Sequence, residues 1–282
     1  MEKICWANTD NFDEAEFVII GIPDESQSHA LRKGTEEAPS KIRQISNLRD
    51  SFERDRQISL GRPFQGTEKK IHDIGNINRE QIENIYDKIS ASSKIPVSIG
   101  GDHSITRQII NTMAKKHGKI SLVYFDAHPD FVSSTTRYYG SVVNDVFSNI
   151  EVSSSVQIGI RTPEQEELDN IKKFNIEVIT PFDIQEQGIR QVANSVTDRL
   201  GDKVYVSFDM DCIDPAYAPG VSVPVPMGLN STDAVYLLKQ IVKKGIVGMD
   251  VMEVCPSFDI KDRTSHLASR IISEVLYSSG EA

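Results

Sequence analysis

Short apolar runs recur along the chain, each followed by polar loop residues and then a segment of helical periodicity. Phe17–Ile22, Ile95–Ile99, Ile120–Phe125, Val156–Ile160, Val204–Phe208 and Ile246–Val251 are such runs, and Ile176–Ile179 is a weaker one because Glu177 interrupts it. Nearly continuous apolar runs of this length suit strands covered on both faces, which is the setting of a parallel sheet. Between them, apolar positions spaced three and four apart predict amphipathic helices over Ser40–Phe52, Arg79–Ala91, Ile105–His117, Glu164–Phe174, Ile184–Leu200, Thr232–Lys244 and Thr264–Leu276. Strand and helix alternate throughout, so the expected fold class is α/β: a three-layer α/β/α domain around a mostly parallel central sheet. With no repeat, low-complexity stretch or Pro/Gly/Ser-rich linker, one domain over residues 1–282 is expected, with Ser26–Gly34 and Ser133–Asn149 as its long loops.

Composition narrows the function classes. The 282 residues carry 31 basic and 41 acidic side chains, a net charge of −10, which repels phosphate backbones and argues against nucleic acid. Acidity favours cationic ligands weakly. No run approaches the length of a membrane span, and Met1-Glu2-Lys3 leads into no apolar signal segment. Three cysteines, Cys5, Cys212 and Cys255, form no CxxC pair, which argues against a zinc ribbon or a disulfide framework. A cytoplasmic protein is expected, with Cys212 and Cys255 as small buried hydrophobes.

In open parallel sheets, ligands bind beyond the C-terminal ends of the strands. The unusual polar residues stand there. Gly100-Gly101-Asp102-His103-Ser104, Asp126-Ala127-His128-Pro129-Asp130 and Asp209-Met210-Asp211-Cys212 each follow an apolar strand. If strand geometry persists, Asp126, His128 and Asp130 point the same way, as do Asp209 and Asp211. Four carboxylates converging with His103 and His128 cannot all stay ionised without cations, and two divalent ions resolve the conflict. Oxygen donors with two imidazoles suit Mn²⁺ better than a thiolate-seeking ion. Any one of these motifs alone would more often be a cap or a turn. Three at three strand ends are not explained that way.

The three motifs, the last running on as Ser207-Phe208-Asp209-Met210-Asp211-Cys212-Ile213-Asp214-Pro215-Ala216-Tyr217-Ala218-Pro219-Gly220, resemble the signatures of the ureohydrolase family of arginases, agmatinases, guanidinobutyrases and formimidoylglutamases. Gly21-Ile22-Pro23-Asp24, Asp73-Ile74-Gly75, Gly159-Ile160-Arg161 and Asp250-Val251-Met252-Glu253-Val254 extend the resemblance over nearly the whole chain. It implies an arginase-like fold, a homo-oligomer (trimer or hexamer), and two Mn²⁺ ions held by His103, Asp126, His128, Asp130, Asp209 and Asp211. It further implies Glu253 as the carboxylate that holds a guanidinium group, and Asp130 as a ligand that also takes a proton. The activity implied is metal-assisted hydrolysis of a guanidino group. Agmatine is the favoured substrate, because Gly159-Ile160-Arg161 and the N-terminal pattern look closer to agmatinases than to arginases. Guanidinobutyrate, arginine and formimidoylglutamate are the alternatives.

One departure stands out. Family members usually carry a proton-shuttling histidine downstream of DxHxD; here Arg137-Tyr138-Tyr139-Gly140-Ser141 puts Tyr139 in its place, and no histidine lies between Asp130 and Gly140. Tyrosine can donate a proton but is a poor acceptor at neutral pH. Tyr139 as a partial substitute, His29 reaching in from its loop, and a slow or inactive metal-binding homologue are the competing expectations. A one-metal deacetylase of similar fold would need a His-His pair, which is absent.

Overall fold

A computed structural model describes residues 2–50 and 69–278, and all eight of its strands join one sheet. In chain order the strands are β1 (Phe17–Ile22), β2 (Ile71–Asn76), β3 (Ile95–Gly100), β4 (Ser121–Phe125), β5 (Val156–Ile158), β6 (Glu177–Ile179), β7 (Val204–Asp209) and β8 (Gly248–Met252). They lie in the order β2-β1-β3-β8-β7-β4-β5-β6, and every pairing among them is parallel.

The helices are α1 (Ala38–Asp50), α2 (Ile82–Ala91), α3 (Ile105–His117), α4 (Val142–Val146), α5 (Gln165–Phe174), α6 (Pro181–Gln187), α7 (Ile189–Arg199), α8 (Ser231–Lys243) and α9 (Arg263–Ser278). They make the outer layers. Along β1, Phe17 and Ile19 enter the core beneath α1, α7, α8 and α9, while Val18, Ile20 and Ile22 enter the core beneath α2, α3 and α4. This two-sided burial is why the strands read as unbroken apolar runs rather than as alternating ones. The α/β/α expectation holds. Among the described residues, no helix is long and apolar enough to cross a membrane.

Several expectations need correction. Strand β2 lay in no apolar run. It pairs only with β1 at the sheet edge, and its burial alternates, with Ile71 and Asp73 inside and His72 half-buried. Asp73 is tolerated in the interior because Arg43, also buried, grips it through Nε and Nη2 at 2.8 Å each. The single helix expected over Ile184–Leu200 is two, divided at Gly188 with φ 85°. The first begins earlier because Thr180 accepts a bond from the Asp183 N–H and Pro181 occupies the first turn, where its missing N–H costs nothing. The loop expected over Ser133–Asn149 contains α4 and two 3₁₀ turns, and α1 starts two residues ahead of the expected Ser40. Residues 51 and 52 at the end of that expected helix lie outside the described residues.

The strand ends that matter are neighbours. β3, β8, β7 and β4 stand side by side in the centre of the sheet, so the segments after them open onto one crevice. Close approach at this rim requires Gly100 and Gly101. A Cβ at Gly100 would meet Met252 Sδ at 1.9 Å, and one at Gly101 would meet the Asp24 carbonyl oxygen at 2.0 Å.

Candidate metal centre and its surroundings

The strand geometry does not persist through the DxHxD motif, so the period-two argument for its convergence is overturned. β4 stops at Phe125, and Asp130 turns back in the left-handed region at φ 48°. Asp211 likewise lies in a 3₁₀ turn after β7, where Asp209 caps it by accepting its N–H at 2.7 Å. Convergence is achieved by these turns instead, and the expected groups do meet.

Two clusters of donor atoms form, His103 with Asp126 and Asp130, and Asp126 with His128 and Asp211; within each, all donor atoms lie within 4.8 Å of one another. Asp126 is common to both. Asp209 joins the first through Oδ2, 3.0 Å from His103 Nδ1, the same distance that separates that nitrogen from Asp126 Oδ2. His128 Nδ1 lies 3.1 Å from Asp211 Oδ2. All are buried except His128, which is partly exposed. Asp126 Oδ2 is buried and, although His103 Nδ1 stands 3.0 Å away, it makes no well-formed hydrogen bond among the described residues, an unmet acceptor that suits an external partner.

Charge at the site points the same way. Burial pushes the carboxyls of Asp130 and Asp209 well above the usual carboxylate range, and the neighbouring Asp126 charge, with that of Asp211 beside Asp209, pushes them further. Burial opposes charge on His103 and His128, yet the surrounding aspartates overcome it and raise both imidazoles. Burial also works against ionised Asp126, but the two imidazoles hold its carboxyl low. The crowded carboxylates thus disfavour their joint ionisation, a conflict that bound cations would relieve. The donor set fits two divalent ions, with Asp126 shared. Since ligands must shed protons to bind metal, loading near pH 7 is expected to release at least one proton per ion and to tighten as pH rises. Calorimetry in buffers of different ionisation enthalpy checks this; a heat of binding independent of buffer would refute it.

Glu253 sits just beyond β8 at φ 64°, a strained backbone for a non-glycine residue, of the kind that clusters at functional sites. The turn aims its carboxylate back at the crevice. Oε1 accepts the His103 N–H at 2.8 Å, and Oε2 accepts the Ser222 hydroxyl. It is 2% exposed, and burial first, then the charge of Asp102, pushes its carboxyl up to about 7.

Tyr139 opens a 3₁₀ turn at the mouth and is half-buried. Burial raises its phenol, and the charges of Glu253 and Asp130 raise it further, so it stays protonated at neutral pH. His29 is exposed, stacked on Tyr138 at 5.3 Å and edge-on to Tyr139 at 6.2 Å. The two candidates for the missing histidine thus belong to one aromatic cluster.

Sequence reasoning gave no role to several groups that build this site. Arg161 spends its guanidinium on backbone carbonyls, donating to Asp211 at 2.7 Å, Val225 at 2.6 Å, Gly159 at 3.0 Å and Pro226 at 3.1 Å, and so pins the Asp211 turn to the 222–228 loop. The Tyr124 ring lies parallel to His103 at 4.7 Å, and its hydroxyl donates to Asp130 Oδ2. Ser207 and Asp250 stand behind His103 inside the sheet. A carboxylate within an apolar strand, as at Asp250, is the one signal that could have flagged them. Cys212 and Cys255 are buried, and all three cysteines are free, as expected.

The paired donor clusters at neighbouring strand ends point to a class of protein built to hold two metal ions. Residues 15–277 match the model of the Arginase family, and the chain belongs to that family, whose members hydrolyse amidino carbon–nitrogen bonds at a binuclear metal centre. An agmatinase of Neisseria meningitidis serogroup C is 34% identical over 94% of this chain and 88% of its own. Among solved structures, the agmatine ureohydrolase of Thermoplasma volcanium is 29% identical with a TM-score of 0.84, covering 98% of this chain and 93% of that one. The proclavaminate amidino hydrolase of Streptomyces clavuligerus is 30% identical with a TM-score of 0.85, covering 94% and 91%.

Proposed function

We propose that the protein is a manganese-dependent agmatinase, hydrolysing agmatine to putrescine and urea, with His103, Asp126, His128, Asp130, Asp209 and Asp211 as the metal ligands. The observation that carries the guanidine assignment is Glu253, a buried carboxylate beside the donor clusters with two of its acceptor sites used among the described residues. A planar guanidinium ion matches the free lone pairs of such a group. The agmatinase relatives and the net charge of −10 favour a dicationic substrate. The all-oxygen-and-imidazole donor set favours Mn²⁺.

When bound, the ion pair would supply a water acidic enough to be deprotonated near pH 7 and a positive field for the developing charge. The chain's own groups then have separate tasks. Glu253 holds the guanidinium so that its carbon faces the crevice, which removes much of the entropic barrier to attack. Asp130 takes a proton. Tyr139, protonated at neutral pH, donates one to the departing amine.

Urea release with agmatine, arginine and guanidinobutyrate, measured side by side on the Mn²⁺-loaded protein, tests this reading. Agmatine should give the highest kcat/KM. A better guanidinobutyrate rate corrects the substrate, and no urea from any guanidine overturns the activity. For Tyr139→Phe, kcat should fall by about two orders of magnitude, the usual worth of a general acid. An unchanged kcat removes Tyr139 from the reaction.

A trimer or hexamer belongs to the same proposal. Its support is an exposed apolar strip formed by Leu168, Phe182, Tyr217 and Met227. Light scattering should give the mass of three or six chains; a monomer mass refutes it. Three free cysteines fit a reducing compartment such as the cytoplasm.

A further inference from the structure

Behind the metal-facing side of His103, a chain of hydrogen bonds runs into the middle of the sheet. His103 Nδ1 faces the crevice, 3.0 Å from both Asp126 Oδ2 and Asp209 Oδ2. Its other nitrogen, Nε2, lies 2.8 Å from Ser207 Oγ, and Ser207 Oγ donates to Asp250 Oδ1 at 2.8 Å. Ser207 and Asp250 are direct partners across the β7–β8 ladder, so the relay is fixed by strand register. Asp250 Oδ2 accepts two further bonds of 2.8 Å, from Thr106 Oγ1 at the start of α3 and from the Tyr205 hydroxyl.

Asp250 has no exposed surface, and among the described residues no lysine or arginine pairs with it. Burying a carboxylate without a cation is costly, and replacing such a group with an apolar side chain is usually neutral or stabilising for packing alone. The three hydroxyl donors offset part of that cost, although burial still pushes the carboxyl above its ordinary range, and packing alone does not explain why a carboxyl stands there.

The proton inventory does explain it. Ser207 Oγ is the donor in its 2.8 Å bond to Asp250 Oδ1, so the Ser207 proton points at Asp250. The Thr106 proton is likewise committed to Asp250 Oδ2. Ser207 Oγ is then left with lone pairs alone toward His103, and Nε2 must carry a proton to meet them. With Nε2 the donor, Nδ1 is the nitrogen whose lone pair is free for a cation.

We propose that Asp250, acting through Ser207, is a positioning residue for the metal centre. It fixes the His103 ring, keeps the proton on Nε2, and raises the donor strength of Nδ1 toward a divalent ion. A carboxylate behind a metal-binding imidazole usually touches the ring directly. Here one hydroxyl, that of Ser207, is interposed. The inference rests on the metal-binding reading above, and its test separates the two.

Mn²⁺ alone is titrated calorimetrically into metal-stripped native protein, Asp250→Asn, Ser207→Ala and the control Tyr205→Phe. Tyr205→Phe removes a donor from Asp250 Oδ2 and leaves the relay intact. The native protein should take up two ions per chain. The dissociation constant of the tighter site should rise about 10- to 100-fold in Asp250→Asn and Ser207→Ala, the usual effect of losing the partner behind a ligand imidazole, and stay near native in Tyr205→Phe. Folding of each metal-free variant is confirmed by its melting transition. If native protein binds no metal, the metal reading of the site falls. If native protein binds and both relay variants bind equally well, the relay proposal falls.

Should Asp250→Asn fail to fold, Ser207→Ala still decides the matter. A second readout is nuclear resonance of histidine-labelled, Zn²⁺-loaded protein. The His103 Nε2 proton should be slow to exchange in the native protein and exchange at least about tenfold faster in Ser207→Ala. Equal exchange in the two proteins overturns the proposal, because a purely packing role for Ser207 would leave that proton unaffected.

Discussion

Asp126→Asn is expected to empty the metal centre and lower urea release by about three orders of magnitude or more. Asp126 is the one side chain common to both donor clusters, and its Oδ2 is buried without a well-formed hydrogen bond among the described residues. An amide keeps the shape but removes the charge and turns half of the acceptor surface into N–H, which repels a cation. It also places that amide against His103 Nδ1 and the neighbouring carboxylates, 3.0 Å away on the His103 side. Losing a metal pair removes several kcal/mol of transition-state stabilisation, and each ~1.4 kcal/mol is a factor of ten in rate. Metal analysis of the purified variant and a urea assay at saturating agmatine check both halves. Full metal content with full activity would show that Asp126 is not the shared ligand. The effect on folding has the same sign. With no metal bound, the variant removes the carboxylate that His103 and His128 face, so its metal-free form should melt below native. Asp211→Asn makes a useful contrast, since Asp211 belongs to one cluster only and also caps Ala127 by accepting its N–H at 2.9 Å.

What is legible in the amino-acid sequence follows from how each feature is encoded. Strands such as Phe17–Ile22 and Val204–Phe208 are buried on both faces, so their signal is a dense apolar run. β2 carries a different signal. At an edge, with Asp73 inside and bound to Arg43, it shows only alternation mixed with polar residues, and its stability depends on a partner 30 positions away. The expected crevice was legible because functional groups in parallel sheets follow strand ends, and β3, β4, β7 and β8 proved to be neighbours. The convergence of Asp126, His128 and Asp130 was read from the right residues with the wrong geometry. A left-handed turn at Asp130 does what a continued strand could not, and nothing in the pattern of apolar residues reports a positive φ. The Asp250–Ser207–His103 relay was invisible for a further reason. It joins three segments whose register is a tertiary property.

The second large effect is expected at Glu253, and it should differ in kind from that at Asp126. In Glu253→Gln, kcat/KM for agmatine should fall by about two orders of magnitude while metal content stays native. The glutamine oxygen can still accept the His103 N–H that Oε1 accepts at 2.8 Å, so the loop carrying His103 keeps its anchor. What is lost is the negative charge opposite a guanidinium ion. A hydrogen bond to a charged group contributes about 1.5–3 kcal/mol, and loss of the upper value is roughly a hundredfold in rate. Burial and the charge of Asp102 already push this carboxyl up to about 7, so the group is held ready to ionise against an arriving cation. An amide has no such response. Because Glu253 would hold both the bound substrate and the state that follows it, part of the loss should appear in KM and part in kcat. Glu253→Ala removes both oxygens, leaves the His103 N–H and the Ser222 hydroxyl without their partner, and should cost metal affinity as well. If Glu253→Gln turns over agmatine at the native rate with native KM, the guanidinium is held elsewhere, and the case for a guanidine substrate loses the residue it stands on.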